Sequence, residues 1–186
     1  MRRIVVSEFV SLDGVMEDPG GAEGFKHGGW SFKFSDPEGM AYKLQEVKDH
    51  DAMLLGRVTY EGFAAAWPGR SDPQGFADKM NSMAKYVVST TLESPAWENS
   101  SVLRDLDEVA ALRDSEGGDV LVAGSRSLVQ ALLARDLVDE LRLMVFPIVL
   151  GNGKRVFGES EDAKVLKLAA HQVLASGTVI LTYARP

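Results

Sequence analysis

Hydrophobic and polar positions follow two periods along this chain of 186 residues. Short β-branched and aromatic runs predict strands at residues 4–10, 52–55, 86–88 and 119–123. Apolar positions at helical spacing predict helices that begin near residues 37, 57, 76, 106 and 126. Strands that alternate with helices pair in parallel, and the helices cover both faces of the sheet. The pattern therefore predicts an α/β fold.

The pattern changes in the last third of the chain, where strand signals follow one another without helices between them. Leu141–Leu150 is a long apolar run broken by Pro147, which cannot donate to a strand ladder and so predicts a bend, a bulge or a sheet edge. Residues 165–174 and 179–183 are strand-like, and only Ser176-Gly177 separates them. These two segments predict an antiparallel hairpin at the edge of the sheet.

Residues 17–35 are rich in glycine and aromatic side chains, among them Trp30 and Phe32. Such a segment is typical either of a lid over a pocket or of a surface excursion pinned by its aromatic residues, and the sequence favours neither. The residues that follow, Asp36-Pro37, are typical of a helix start, with a capping carboxylate and a proline in the first turn.

Composition narrows the class of protein. Apolar residues make up 45% and charged residues 25% of the chain, which excludes a disordered protein. Since a domain takes about 150 residues, we interpret residues 1–186 as a single domain. The absence of cysteine excludes disulfides, thiolate catalysis and iron–sulfur clusters. The net charge of −7 argues against nucleic acid or an anionic membrane as the partner. Polar residues interrupt the first apolar run, so we expect a cytoplasmic protein.

Three predicted strands end in a small or hydroxylated residue: Gly56, Ser89 and Gly124. In an open α/β sheet, ligands bind beyond the carboxyl ends of the strands. The first and third of these turns lead directly into helix N-termini, whose N–H groups attract anions, and each carries a cation, Arg57 or Arg126. Glycine and serine also suit tight turns that bind nothing. Three such turns, each at the end of a predicted strand and about one βα unit apart, favour a ligand with several phosphates, such as a nucleotide.

Motifs for a protein nucleophile or a metal ion are missing from the sequence. The three histidines show no metal-ligand spacing, and the glycines at 151 and 153 lack the third glycine of a dinucleotide fingerprint. We therefore expect no metal site. Hydride transfer from a nicotinamide suits such a chain, because the cofactor carries the chemistry and the protein mainly orients it.

Several short motifs, taken in order, resemble the dihydrofolate reductase-like superfamily. They are Ser11-Leu12-Asp13-Gly14, Gly56-Arg57-Val58-Thr59, Gly124-Ser125, Asp139-Glu140-Leu141 and the run from Pro147 to Gly153. The chain is most similar to the C-terminal reductase domain of the riboflavin-biosynthesis deaminase/reductase and its stand-alone relatives. The resemblance implies a three-layer α/β/α domain that binds NADPH, with a mixed sheet that is mostly parallel and has an antiparallel C-terminal hairpin.

The resemblance also implies which residues hold the cofactor. The Gly-Arg-x-Thr turn cradles phosphates in that family, the next turn holds the adenosine ribose and its 2′-phosphate, and the glycine turn lies under the pyrophosphate. The predicted NADPH-binding residues are Gly56, Arg57, Val58, Thr59, Ser89, Thr90, Gly124, Ser125, Arg126 and Leu128. The charge of Arg57 favours NADPH over NADH.

The residues on the substrate side depart from the patterns of the relatives. Dihydrofolate reductases carry a pterin-binding carboxylate where this chain has Met40, and riboflavin-pathway reductases carry a lysine where it has Ser7. The candidate substrate contacts here are Asp13, Trp30 and Glu38. Asp13 is equally typical of a turn that its own carboxylate closes.

The sequence thus leads to two hypotheses of function. The first is an NADPH-dependent reductase of a small pyrimidine- or pterin-like heterocycle, resembling 5-amino-6-(5-phosphoribosylamino)uracil reductase, for which dihydrofolate is a poor substrate. The second is a nucleotide-binding module without turnover. In addition, the apolar strands at 141–150 and 165–184 predict a homodimer through the C-terminal strands, because an exposed apolar sheet edge needs cover. The alternative is that the hairpin only completes the sheet of its own chain, with Pro147, Lys154 and Arg155 protecting the edge.

Overall fold

The computed structural model of the chain describes residues 1–159 and 163–186. The strands are β1 (Ile4–Ser11), β2 (Ala52–Gly56), β3 (Ala84–Val88), β4 (Ser100–Leu103), β5 (Val120–Ala123), β6 (Glu140–Phe146), β7 (Lys167–Val173) and β8 (Val179–Ala184). The α-helices are α1 (Pro37–Asp49), α2 (Arg57–Ala66), α3 (Phe76–Ser82), α4 (Leu106–Asp114) and α5 (Arg126–Ala134). A short 3₁₀ helix covers Trp30–Phe34.

All of these strands join one sheet, in the order β4-β3-β2-β5-β1-β6-β8-β7. The first six pair in parallel, whereas β8 is antiparallel to both of its neighbours, β6 and β7. The predicted mixed sheet with an antiparallel C-terminal hairpin is confirmed. Because the first six strands share one direction, their carboxyl ends meet at a single edge of the sheet, where α/β proteins bind ligands.

Helices cover both faces of the sheet and make the three predicted layers. On one face, Val109 of α4 and Leu132 of α5 pack against Val6 and its neighbours in the main apolar core. On the other face, a second cluster packs Val47 of α1 and Met80 of α3 against the central strands. Side chains alternate between the faces along each strand, which is why the inner strands are apolar on both sides.

Two details differ from the sequence prediction. The strand β4 was not predicted, because Ser100 and Ser101 interrupt any apolar alternation in a strand of four residues. The predicted strand at 141–150 ends at Phe146 instead, because Pro147 takes the chain out of the ladder. Across the described residues, the structure contains no helix that is long and apolar enough to cross a membrane.

The loop at residues 17–35 is fastened to the body of the protein. The buried carboxylate of Asp18 accepts the N–H groups of Ala22, Glu23 and Phe25 at 2.7–3.1 Å. Trp30 is fully buried, and its indole N–H donates to the carbonyl of Glu17 at 2.8 Å. The structure supports both readings of the sequence in part, because aromatic residues pin the segment and its 3₁₀ helix also lines a cavity of the protein.

Candidate functional site

Two of the predicted turns are in direct contact at the carboxyl edge of the sheet. The backbone N–H of Gly56, at the end of β2, donates to the hydroxyl of Ser125 at 2.8 Å. Gly124 has a left-handed φ of 72°, and a Cβ placed on it would lie 2.9 Å from Cγ2 of Thr59. Glycine is therefore required by both the backbone conformation and the close approach of α2. The turns β2–α2 and β5–α5 form one continuous surface, which we call the double turn.

The helices that begin at the double turn differ from the others in their N-terminal caps. Asp36, Asp72 and Asp105 accept backbone N–H groups at the starts of α1, α3 and α4. In contrast, α2 and α5 begin at Gly56 and Ser125 without a side-chain cap. The first N–H groups of a helix have no intrahelical acceptor, and they carry the positive end of the helix dipole. Two uncapped helix ends side by side suit a ligand with two negatively charged groups.

The third predicted turn, after β3, is shaped by its own hydrogen bonds. The hydroxyl of Ser89 accepts the N–H groups of Thr91 and Leu92 at 3.2 and 2.9 Å, and Thr90 is exposed at the tip. The guanidinium of Arg104, at the end of β4, donates to the carbonyls of Ser89 and Leu92 at 3.0 and 2.8 Å. This turn therefore carries a cation that the sequence analysis did not identify.

The side chains of the remaining predicted cofactor residues differ in their exposure to solvent and in their partners. Arg57 donates to both carboxylate oxygens of Glu61 at 2.9 Å, and both side chains are about half exposed. Arg126 is exposed and donates to the carbonyl of Arg155 at 3.2 Å, while Val58 is 64% exposed. The side chain of Leu128 lies in the main core, so only its backbone N–H is left for a ligand, and a side-chain contact is not supported.

Glu8 of β1 brings a buried acid to the same place. Its Oε2 accepts the N–H of Gly124 at 3.1 Å, while its Oε1 is buried and has no partner among the described residues. Burial raises the pKa of Glu8 to about 8, and the bond from Gly124 offsets this only in part. The sequence signal was a single acid inside the apolar run at 4–10, where it was interpreted only as an interruption of that run.

A cavity of about 750 Å³ lies beside this edge, on the α1 face of the sheet. Its walls come from α1, from the 3₁₀ helix, from the segment at 67–77, and from Phe9, Met144 and Phe146 of the sheet. Phe9 follows Glu8 directly on β1, so one strand carries both the acid beside the double turn and a wall of the cavity. The aromatic rings of Phe32, Phe34 and Phe76 give the cavity flat apolar walls, which suit a planar ring.

The three candidate substrate contacts do not converge on this cavity. Trp30 is a fully buried core residue, so its predicted substrate contact is not supported. Glu38 is exposed and is not among the cavity residues, because it lies about 200° around the helix from Met40, which does line the cavity. The expectation that Glu38 points elsewhere than Met40 agrees with this placement.

Asp13 instead joins two loops of the chain through hydrogen bonds. It accepts the hydroxyl of Ser11 at 2.7 Å and the backbone N–H groups of Leu150 and Gly151 at 3.0 and 2.8 Å. These bonds, led by the one from Ser11, lower the pKa of Asp13 to about 2. Asp13 thus fastens the motif at 11–14 to the motif at 147–153, and the reading as a turn residue describes its contacts.

The family model described as the RibD C-terminal domain matches residues 2–181. The chain belongs to the RibD C-terminal domain family. The predicted relationship to the dihydrofolate reductase-like superfamily is confirmed by this match and by the solved structures described below.

Relatives of this RibD C-terminal domain include two uncharacterized proteins of Bacillus subtilis (strain 168). YyaP is 30% identical over 188 residues, which cover 98% of this chain and 94% of YyaP. YwjB is 27% identical over 169 residues, which cover 90% of this chain and 89% of YwjB. The matches extend over nearly the whole of each protein, so these relatives share the full architecture rather than one part of it.

Two solved structures share the fold of this RibD C-terminal domain. The first is a putative riboflavin biosynthesis protein from Shewanella sp. PV-4, with a TM-score of 0.73, 25% identity, and coverage of 100% of this chain and 99% of that one. The second is dihydrofolate reductase from Enterococcus faecalis complexed with NADP(H) and RAB-propyl, with a TM-score of 0.65, 17% identity, and coverage of 98% and 96%. Together with the family match, they indicate a reductase-like fold.

Proposed function

We propose that this protein is an NADPH-dependent reductase of a small, planar heterocycle of the pyrimidine or pterin kind. The observation that carries the proposal is the double turn, where two helix N-termini without carboxylate caps meet at the carboxyl edge of a parallel sheet. A pyrophosphate presents two adjacent negative groups, and it fits two adjacent uncapped helix ends better than a single anion does. The resemblance to 5-amino-6-(5-phosphoribosylamino)uracil reductase supports the same class of reaction.

The residues present fit the dinucleotide. Gly56 and Gly124 let the two turns approach closely enough to present their helix N-termini together, since a Cβ on Gly56 would lie 3.0 Å from the hydroxyl oxygen of Ser125 and one on Gly124 would lie 2.9 Å from Thr59. Backbone N–H groups at the starts of α2 and α5 would hold the pyrophosphate, and Arg57, Ser89, Thr90 and Arg104 would surround the adenosine end. When bound, NADPH supplies a hydride, and the protein orients the ring that receives it.

The substrate would occupy the cavity between α1, the 3₁₀ helix and the segment at 67–77. The walls are mostly apolar and aromatic, which favours a flat ring stacked against them. Met40 lines this cavity and has no charge to pair with a protonated pterin. We therefore propose that dihydrofolate is a poor substrate.

The proposal is tested by incubating the protein with NADPH and a panel of pyrimidinediones, pteridines and dihydrofolate, and following the loss of NADPH absorbance. We expect oxidation that depends on a pyrimidine or pteridine at enzymatic rates, and dihydrofolate turnover below about 1 per second. Saturable NADPH binding with no oxidation by any compound would contradict the reductase and support a nucleotide-binding module. Fast turnover of dihydrofolate would contradict the substrate class.

A further inference from the structure

Four charged residues are among those that line the cavity: Asp36, Lys43, Arg70 and Asp72. Asp36 and Asp72 already accept backbone N–H groups at the starts of α1 and α3. Arg70 is exposed and lies over the ring of Trp67, with 5.6 Å from its guanidinium carbon to the ring centroid. Lys43 differs from these three, because it lies on the wall formed by α1 and β1.

Lys43 is held in place by the sheet behind it. Its ammonium donates to the hydroxyl of Ser7 at 3.1 Å and to the carboxylate of Glu46, and it lies 5.3 Å from the centroid of the Phe9 ring. The lysine side chain is 20% exposed, whereas that of Glu46 is 1% exposed. An ammonium has three donors, and two of them have acceptors among the described residues. The third has no acceptor among the described residues, and Lys43 is one of the residues that line the cavity.

The charges around Lys43 are balanced by a small network. Glu46 also accepts the hydroxyl of Ser7 at 3.0 Å and the guanidinium of Arg142 at 3.2 Å, and Arg142 donates in turn to Glu140 at 2.6 Å. Lys43 and Arg142 thus face Glu46 and Glu140, and Glu140 also lies 3.4 Å from the guanidinium of Arg3. Because Glu46 already neutralises the ammonium, the third donor suits a neutral acceptor, such as a ring carbonyl oxygen, better than a second anion.

We propose that Lys43 is the specificity-determining residue of the cavity, and that its ammonium donates to a ring carbonyl of the substrate. The substrate class is then narrowed to planar heterocycles that present carbonyl acceptors, such as pyrimidinediones, rather than rings that present amino groups and a protonated nitrogen. This inference rests on the proposed function for the identity of the site, although the binding experiment below does not require turnover.

The test compares two probes with the same ring skeleton, lumazine (pteridine-2,4-dione) and 2,4-diaminopteridine. Their dissociation constants are measured by fluorescence titration of the full chain, with and without NADPH. The wild type should bind lumazine more tightly than 2,4-diaminopteridine. Loss of one charged hydrogen bond in Lys43→Met should weaken lumazine binding roughly 10- to 150-fold, with little change for 2,4-diaminopteridine or NADPH.

Lys167→Met is the control, because Lys167 is an exposed lysine of β7 that is not among the residues lining the cavity. It should leave the lumazine affinity unchanged. Lys43→Met leaves Glu46 with one cation fewer and could lower stability. The double variant Lys43→Met with Glu46→Gln removes both charges together and should show the same selective loss of lumazine binding.

Three results would overturn the inference. They are a wild type that prefers 2,4-diaminopteridine or binds neither ring, equal losses for both probes in Lys43→Met, and unchanged lumazine binding in the folded double variant. If NADPH fails to bind but lumazine binding still depends on Lys43, the proposed cofactor is wrong and the role of Lys43 stands. If NADPH binds and is oxidised but the lumazine affinity does not depend on Lys43, the proposed cofactor stands and the role of Lys43 is wrong.

Discussion

Glu8 is an acid whose ionisation opposes folding. Its pKa rises from 4.5 in the unfolded chain to about 8 in the fold because burial disfavours the charge. Between these values folding takes up a proton, so the stability that Glu8 contributes is complete below 4.5 and is lost as the pH rises through about 8. Between these two pKa values, the free energy of unfolding falls by about 1.4 kcal/mol per pH unit. Urea denaturation across this range should show that the wild type loses stability as the pH rises. The free energy of unfolding of Glu8→Gln should not show this loss.

The control for Glu8 is Glu38→Gln, which removes an exposed acid of α1. It should leave the pH dependence of the free energy of unfolding as it is in the wild type. Parallel curves for Glu8→Gln and the wild type would mean that Glu8 ionises in the folded protein as it does in the unfolded chain.

We expect a preference for NADPH over NADH that depends most on Arg57. A charge-assisted hydrogen bond to the 2′-phosphate contributes roughly 1.5–3 kcal/mol, which is about 10- to 150-fold in affinity. The exposed ion pair with Glu61 is worth only a few tenths of a kcal/mol, so a phosphate displaces it readily. Calorimetry should show tighter binding of NADPH than of NADH, and Arg57→Ala should remove most of the difference.

Glu61→Gln is the matched variant for Arg57, because it removes the competing carboxylate and keeps the cation. It should hold NADPH as tightly as the wild type or more so. Equal dissociation constants for NADPH and NADH in the wild-type protein would contradict the assignment of Arg57 to the 2′-phosphate.

Individual side chains were the hardest part of the site to predict from the sequence. The turns at Gly56 and Gly124 were predictable because a strand end followed by a helix start has a local pattern. Trp30 was misassigned because exposure depends on the packing of the whole loop at 17–35. Lys43 was missed because its contact with Ser7 joins positions that only the docking of α1 on β1 brings together.

At the scale of elements, the double turn depends on the close fit of α2 against the turn after β5. Gly124→Ala would combine a left-handed backbone, which costs an L residue roughly 1–2 kcal/mol, with a Cβ 2.9 Å from Thr59. We expect it to lower stability by at least that amount and to weaken NADPH binding tenfold or more. Chemical denaturation and calorimetric titration of the same sample measure both effects.

Gly69→Ala is the comparison, because Gly69 has a left-handed φ of 77° and no atom within 4 Å of the added Cβ. It should cost a similar amount of stability from backbone strain alone and leave the affinity for NADPH unchanged. If the two variants bound NADPH equally well, the double turn would not be the site of the cofactor.

The elements themselves were largely predictable, because caps and periodicity are local. Asp36 caps α1 as the sequence predicted, and Asp105 caps α4 at the predicted start of that helix. In contrast, β4 pairs with β3 and packs Leu103 against the main core, but Ser100 and Ser101 leave its four residues without a strand-like alternation. That the turns after β2 and β5 lead directly into helices was visible in the sequence, but their contact through Ser125 and Gly56 was not.

At the scale of the whole molecule, the open edge of the sheet predicts self-association. All seven residues of the edge strand β7 are exposed, and Leu168 and Val173 are 48% and 65% exposed. An exposed apolar edge strand is a template for pairing with another chain, and we expect a homodimer through β7. Light scattering should give about twice the chain mass of 20.2 kDa. Leu168→Lys should give the monomer, while Val149→Lys, at an exposed loop position, should not.

A substitution in the interior strand β6 tests whether the dimer contact lies at β7 rather than at β6. Leu143 lies between β1 and β8, so a charge there should unfold the chain rather than dissociate a dimer. A wild-type mass near 20.2 kDa at micromolar concentration would contradict the dimer.

The central claim is that the uncapped N-termini of α2 and α5 together hold the pyrophosphate of NADPH, and a crystal structure of the NADPH complex tests it most directly. We predict phosphate oxygens within about 2.7–3.2 Å of backbone N–H groups at residues 57–59 and 126–128. The nicotinamide should lie beside the cavity that Lys43 lines. Density for the pyrophosphate at any other edge of the sheet, or none in crystals grown with saturating NADPH, would contradict the claim.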